Sequence, residues 1–230
     1  MTTTASPKVK CELCNDTNFI FHEDGSAEIC PHHKAELERK YNERLFQSAQ
    51  IPKRFWGKSL DNFEITRQPY AHKVALDYVT SWPHTDSLFF TGEVGTGKTH
   101  LALAILGDLV KKNVNGLAVT VPDLLDELRP SANEEKRAEQ MQILKTVSLL
   151  ILDDLGAQKT TDWVTERLFV ILNARYANLL PTVITSNTTL KELVDIPGWP
   201  RLVDRISEMA RVVKLTGKSY RLKQARRERE

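Results

Sequence analysis

The chain has 230 residues, 41% hydrophobic and 27% charged, which suits one well-packed domain with a small appendage rather than a fibrous or unstructured chain. No apolar run approaches a membrane span, and the opening MTTTASPKVK lacks the apolar stretch of a secretion signal, so a cytoplasmic protein with no membrane partner is expected. A net charge of +2 excludes a globally basic nucleic-acid coat, although KSYRLKQARRERE at 218–230 gathers six basic against two acidic residues and is either a solvated end or a contact for phosphates.

Residues 1–8 read as a flexible tail, and 9–48 as a small module. CELC at 11–14 and CPHH at 30–33 give C-x2-C, fifteen residues, then C-x2-H. Cys11, Cys14, Cys30 and His33 can close over one tetrahedral zinc and use every cysteine in the chain. His32 competes for the fourth position, although its spacing copies the first knuckle less well. About forty residues bury little core alone, so the metal would supply the folding energy. A structural site is expected. Leu37, Tyr41 and Leu45 then recur every four residues on a charged helix, a narrow stripe for the next domain or for a partner helix. The linker at 49–65, IPKRFWGKSLDNF at its heart, is too apolar for a free tether. Ile51, Phe55, Trp56, Leu60 and Phe63 should dock on the domain that follows.

From 66 to 219 helices alternate with continuous apolar strands. The pattern predicts a helix at 69–81 and strands at 87–91, 116–121, 148–153 and 182–186. Further helices are expected from Thr99 to near Asn113, in two pieces over 122–146, at 162–178 and at 201–209. The helix at 162–178 should turn Trp163, Leu168, Phe169, Leu172 and Tyr176 inward. Strands of this kind imply an α/β fold with a parallel sheet sandwiched by helices.

GEVGTGKTH at 92–100 lies between a strand and a helix, with G-x-x-x-x-G-K-T spacing. Gly92, Glu93, Val94, Gly95, Thr96, Gly97, Lys98, Thr99 and His100 form a candidate cradle for the phosphates of a nucleotide. The glycines let backbone N–H groups converge, Lys98 reaches the β- and γ-phosphates, and Thr99 holds Mg²⁺. LLILDDLG at 149–156 ends an apolar strand in two carboxylates. Asp153 is placed for Mg²⁺, and Asp154 to orient or deprotonate the attacking water. Asn187 ends the next strand, where it either touches the γ-phosphate or water, or caps a turn. Arg201 and Arg205 lie four apart on one helix face. Their spacing serves equally an arginine finger into a neighbouring subunit or an ion pair with Asp204 or Glu208.

In this order GEVGTGKTH, LLILDDLG, ITSN and RLVDRI resemble Walker A, Walker B, sensor 1 and box VII of AAA+ ATPases. Residues 50–222 more narrowly resemble the DnaC/DnaI-type helicase loaders of the IstB/DnaC-like group, some of which carry a zinc-binding N-terminal domain. The resemblance implies an AAA+ P-loop NTPase using ATP, Mg²⁺ and Zn²⁺, with slow, partner-dependent hydrolysis. It implies Asn187 as sensor 1, Arg205 as the arginine finger and Arg221 as sensor 2. The 43 residues after Asn187 leave no room for a full C-terminal lid, and 220–230 is a basic tail. The implied partners are a replicative DNA helicase hexamer, gripped by the N-terminal module, single-stranded DNA, and further copies of the chain through the ATP sites. An IstB-like ATPase assisting a transposase is the alternative. A nucleotide-sensing adaptor with negligible turnover is the reading outside enzymes.

Overall fold

The computed structural model describes residues 11–129 and 133–220. These fall into two compact units divided between Leu45 and Phe46. No helix among the described residues is long and apolar enough to cross a membrane.

The first unit is a hairpin and a helix. Strands β1 (Phe19–Phe21) and β2 (Ala27–Ile29) pair antiparallel, an element the sequence reading passed over between the two knuckles. The turn is set by Gly25 at φ +83° and by Asp24, whose carboxylate accepts from the Ser26 backbone N–H at 2.9 Å. Helix α1 (Pro31–Ser48) starts inside the second knuckle, with proline in its first turn, where no N–H is needed. Its expected stripe is weak, because Tyr41 is 52% exposed.

The second unit contains α2 (Pro69–Thr80), β3 (Ser87–Gly92), α3 (Lys98–Lys111), β4 (Gly116–Thr120), α4 (Val121–Glu127) and α5 (Glu134–Thr146). It continues through β5 (Leu149–Leu155), α6 (Asp162–Ala177), β6 (Thr182–Ser186), α7 (Leu190–Leu193), α8 (Pro200–Met209) and β7 (Ala210–Leu215). Five strands form a parallel sheet in the order β4-β5-β6-β3-β7. Alternate side chains of each strand serve opposite faces. Phe89, Leu150, Leu152 and Ile184 join a core with residues of α4, α6 and α8, while α3 packs on β4, β5 and β6 with α2 beside it.

Three expectations are corrected here. Val121 starts α4 instead of ending β4, because Thr120 caps that helix with its hydroxyl and Pro122 sits in the first turn. β7 was not foreseen. It is an edge strand whose Arg211, Val212 and Lys214 stay exposed, so it lacks the continuous apolar run of its neighbours. On α6 Leu168 and Leu172 are buried as expected and Trp163 and Phe169 pack on the core while partly covered, but the buried face also takes in Val164, Ile171 and Arg175, and Tyr176 is only partly covered. The fully buried Arg175 hid that wider face. Its guanidinium donates to the carbonyls of Leu144, Val147 and Pro181 and to the Thr182 hydroxyl at 2.7–3.1 Å. Burial lowers its pKa to about 10, so it stays charged at neutral pH.

Of the linker residues, Ile51, Leu60 and Phe63 are buried, and Phe55 and Trp56 half-buried. The backbone of Ala49 accepts from Ala118 N–H on β4 at 2.9 Å, so the segment entering this unit covers the sheet's open edge.

Candidate functional site

The loop from β3 to α3 folds as it does because three positions admit no side chain. Gly92 has φ +143°, and a Cβ there would lie 1.9 Å from the Leu215 carbonyl oxygen at the end of β7. Gly97, at φ +106°, is the N-cap of α3, and a Cβ would meet the Phe63 ring at 2.9 Å. Gly95, at φ +79°, sits against the Ser219 hydroxyl. The loop therefore delivers the open N–H groups of the first turn of α3, which favour an anion.

Lys98 is 5% exposed, and its ammonium donates to the carbonyls of Gly92 at 2.7 Å and Glu93 at 2.8 Å. Thr96 braces the same loop, its hydroxyl donating to Glu93 O at 2.8 Å. Glu93 and Val94 are exposed at its tip. His100 is held by the linker: its Nε2 lies 3.0 Å from Ser59 O and its ring meets Phe63 edge-on at 5.1 Å between centroids. Burial lowers its pKa, so the imidazole is neutral at neutral pH.

The two carboxylates leave β5 where its pairing with β6 is irregular, between Leu152 and Leu155. Asp154 adopts φ +59°, a left-handed conformation rare for a residue with a side chain. Asp153 stays buried beneath the loop, and Oδ1 accepts from the Thr99 hydroxyl at 2.9 Å and the Thr185 hydroxyl at 2.6 Å. Burial raises its pKa, against those two hydrogen bonds. Thr99 and Asp153 thus bring two hard oxygens together, the donor type Mg²⁺ takes.

Thr185 of β6 ties the pair together. Its hydroxyl accepts the Asp154 backbone N–H at 3.0 Å while donating to Asp153. Asn187 Nδ2 then lies 3.5 Å from Asp154 Oδ1. A cleft of about 360 Å³ is lined by Gly95, Gly97, Lys98, Thr99, His100, Asp154 and Asn187, with Phe63 and Tyr220. A slightly larger cavity of about 390 Å³ beside β4 and α4 meets Asp153 but none of the loop. The first is the nucleotide candidate, because the loop, Asp154 and the Asn187 amide line it together, with Asp153 joined to it through Thr99.

Thr185→Val keeps the volume and removes both hydrogen bonds. It should lower the rate of ATP hydrolysis tenfold or more, roughly the 1–3 kcal/mol cost of an unpaired buried group, with nucleotide affinity little changed. Thr185→Ser should restore most of the rate. Steady-state hydrolysis beside a nucleotide titration reads both, and an unchanged rate in the valine variant would remove Thr185 from the site.

Of the three candidate arginines, the structure describes two. Arg205 stacks over Tyr176 at 4.0 Å and pairs with Glu208 at 2.5 Å. Arg201 stacks over Phe169 at 4.9 Å. The half-covered aromatics of α6 thus serve as a platform for both guanidinium groups. Arg221 lies outside the described residues. Just before it, Tyr220 donates its backbone N–H to Gly95 O at 2.9 Å, and Arg67 stacks on its ring at 4.4 Å. Phe63, Thr185 and Tyr220 were missed from sequence. Only the apolar linker hinted at the first, and no local pattern marks the other two.

In the first unit, the ligand atoms of Cys11, Cys14, Cys30 and His33 all lie within 4.8 Å of one another. His33 Nε2 is buried with no hydrogen-bond partner, which fits a metal ligand. His32 is not part of that group, though its Nδ1 is 3.5 Å from Cys11 Sγ. Burial pushes the Cys11 thiol up, but the Cys14 and Leu13 N–H groups and the His32 ring outweigh it and bring it down to about 6. Soft thiolates with an imidazole could hold a tetrahedral zinc.

Residues 27–228 match the family described as IstB-like ATP binding protein. The chain is 26% identical over 204 residues to the ATP-binding protein named for insertion sequence IS5376 from Geobacillus stearothermophilus, covering 86% of this chain and 81% of that one. It is 27% identical over 211 residues to the replicative helicase loader DnaI of Bacillus subtilis, covering 84% of this chain and 67% of that one. Among solved structures, the DnaC helicase loader superposes with a TM-score of 0.62 at 31% identity, over 72% of this chain and 100% of that one. The parallel sheet flanked by helices is the AAA+ arrangement these loaders share.

Proposed function

The chain belongs to the IstB-like ATP binding protein family, and on that premise we propose that it loads a replicative DNA helicase onto DNA in an ATP-dependent manner. An AAA+ ATP-binding domain carries an ATPase activity in general terms. The loader reading is supported above all by the pairing of such a domain, similar to DnaI and DnaC, with a separate N-terminal unit built on a four-ligand cluster. That unit would grip the helicase, while the ATPase unit would meet single-stranded DNA and neighbouring copies of the chain, all in the cytoplasm.

The residues divide the work as follows. The loop from Gly92 to Gly97 and the α3 N-terminus hold phosphates. Lys98 leaves its two carbonyls to meet the β- and γ-phosphates. Thr99 and Asp153 hold Mg²⁺, which neutralises phosphate charge when bound. Asp154, aimed by its left-handed backbone, orients the attacking water or takes its proton, with Asn187 beside it. Arg205 reaches the site of a neighbouring subunit, and Arg221 serves as sensor 2. Zinc on Cys11, Cys14, Cys30 and His33 is structural, since four protein ligands leave no open position.

Arg205→Ala should leave ATP affinity of the isolated chain within about twofold but lower assembly-dependent hydrolysis by about 10³-fold or more, the range for an arginine finger. Hydrolysis unchanged across a protein-concentration series would move the finger to Arg201 or dispense with it.

The second reading, an ATPase that assists a transposase, is favoured by the family description and by the insertion-sequence relative. A pull-down separates the two. Intact chain and a version lacking residues 1–45 are each mixed with the source's replicative helicase, with and without ATP. Recovery by the intact chain alone supports the loader and its grip. No recovery of helicase, with capture of a transposase from the same source, overturns it.

A further inference from the structure

The hairpin of the first unit has two unlike faces. Its register pairs Phe19 with Ile29, Ile20 with Glu28 and Phe21 with Ala27. By the two-residue period of a strand, Phe19, Phe21, Ala27 and Ile29 therefore share one side. Ile20, on the other side, packs against Cys11, Cys14 and Cys30. The side toward the cysteines is thus covered and the other is not: Phe21 is 71% exposed, Phe19 43% and Ile29 45%. Local folding does not require this. Threonine at those positions would keep the strand preference without exposing aromatic surface. A cluster of exposed aromatics is what the centre of a protein–protein contact is made of.

The charge of this segment narrows its occupant, with Glu23 and Asp24 in the turn next to the face and Glu28, opposite Ile20, on the cysteine side. Between Cys11 and Cys30 stand Glu12, Asp16, Glu23, Asp24 and Glu28, and no Lys or Arg. Asp24 is engaged by Ser26, Asp16 accepts the Cys11 N–H at 3.0 Å, and Glu28 meets His22 at 3.6 Å. Glu12 and Glu23 are exposed. Such a surface repels phosphate, so neither a nucleic acid nor an anionic membrane suits it.

The geometry points to the Phe19–Phe21–Ile29 face as a protein-docking surface whose partner presents an apolar patch rimmed by Lys and Arg. Resting on the loader reading above, that partner is a subunit of the replicative helicase. The aromatic side chains supply the buried contact, and the acidic turn at Glu23 and Asp24 steers approach and fixes orientation.

The test uses the full chain carrying Phe19→Ala with Phe21→Ala, and separately Glu23→Lys. Affinity for the purified helicase of the same source is measured at low and high salt, with metal content and ATP hydrolysis as controls. The double variant should bind at least about tenfold more weakly at either salt. Glu23→Lys should weaken binding several-fold at low salt, with the difference shrinking at high salt. Both should keep their metal and their basal hydrolysis. Unchanged affinity of the double variant, with wild type binding normally, overturns the docking face and leaves the loader reading in place. No binding by wild type at all overturns both. If the double variant loses its metal, Glu23→Lys decides alone: unchanged affinity and salt dependence overturn the proposal.

Discussion

Replacing Lys98 with alanine should weaken ATP binding by about two orders of magnitude and abolish hydrolysis, while leaving the fold intact. Charge-assisted hydrogen bonds contribute roughly 1.5–3 kcal/mol each, so losing contact with two phosphates costs about 3 kcal/mol or more, a hundredfold or greater in affinity. Lys98 is 5% exposed, which would ordinarily make its removal costly. Its ammonium, however, donates to the Gly92 and Glu93 carbonyls and lines the cleft, where water can replace it. The damage should therefore appear in nucleotide titrations and not in thermal unfolding. Retained affinity in a correctly folded variant would mean that the nucleotide does not lie against this loop.

Cys30→Ser should empty the four-ligand cluster and unfold the first unit, with the ATPase unit still able to bind ATP. Among described residues up to Leu45, the buried side chains are Cys11, Cys14 and Cys30 alone, with Ile20 packed against them. A unit whose interior is its own ligand set has no other core to fall back on. Structural zinc supplies on the order of 10 kcal/mol or more in comparable small modules, more than such a unit can replace. Metal analysis should fall from one zinc per chain to none, helicase binding should vanish, and a chelator should reproduce both losses in the wild type. A Cys30→Ser chain that keeps its metal and its partner would contradict the structural site.

What could be read in the sequence follows from how local each signal is. The candidate phosphate loop is a spacing of glycines, a lysine and a threonine within eight residues, and the strand and helix on either side are apolar runs, so its place between β3 and α3 was legible. The cysteine pairs and the Asp153–Asp154 step were legible for the same reason. Thr185 was not, because a threonine in TVITS is an ordinary β-strand residue until the sheet sets β6 beside β5. Phe63 and Tyr220 reach the cleft from segments well separated in the chain. β7 lacked the apolar run of a central strand because it closes an edge, and the inward face of α6 was read incompletely, with Val164 and Ile171 left out, because an arginine occupies its buried stripe. The fourth member of the candidate metal cluster was a choice between neighbours, His32 and His33. Helix α1 makes them unlike by leaving His33 Nε2 buried and unpartnered.

The most direct measurement is helicase-dependent unwinding of a strand annealed to a closed single-stranded circle, where a hexameric ring must be opened or assembled by a loader before it can act. With ATP, the intact chain should raise unwinding far above helicase alone, and neither Lys98→Ala nor a chain lacking residues 1–45 should do so. Unwinding that is the same with and without the chain, at concentrations saturating for ATP, would contradict the loader and leave the transposase-assisting ATPase as the reading to pursue.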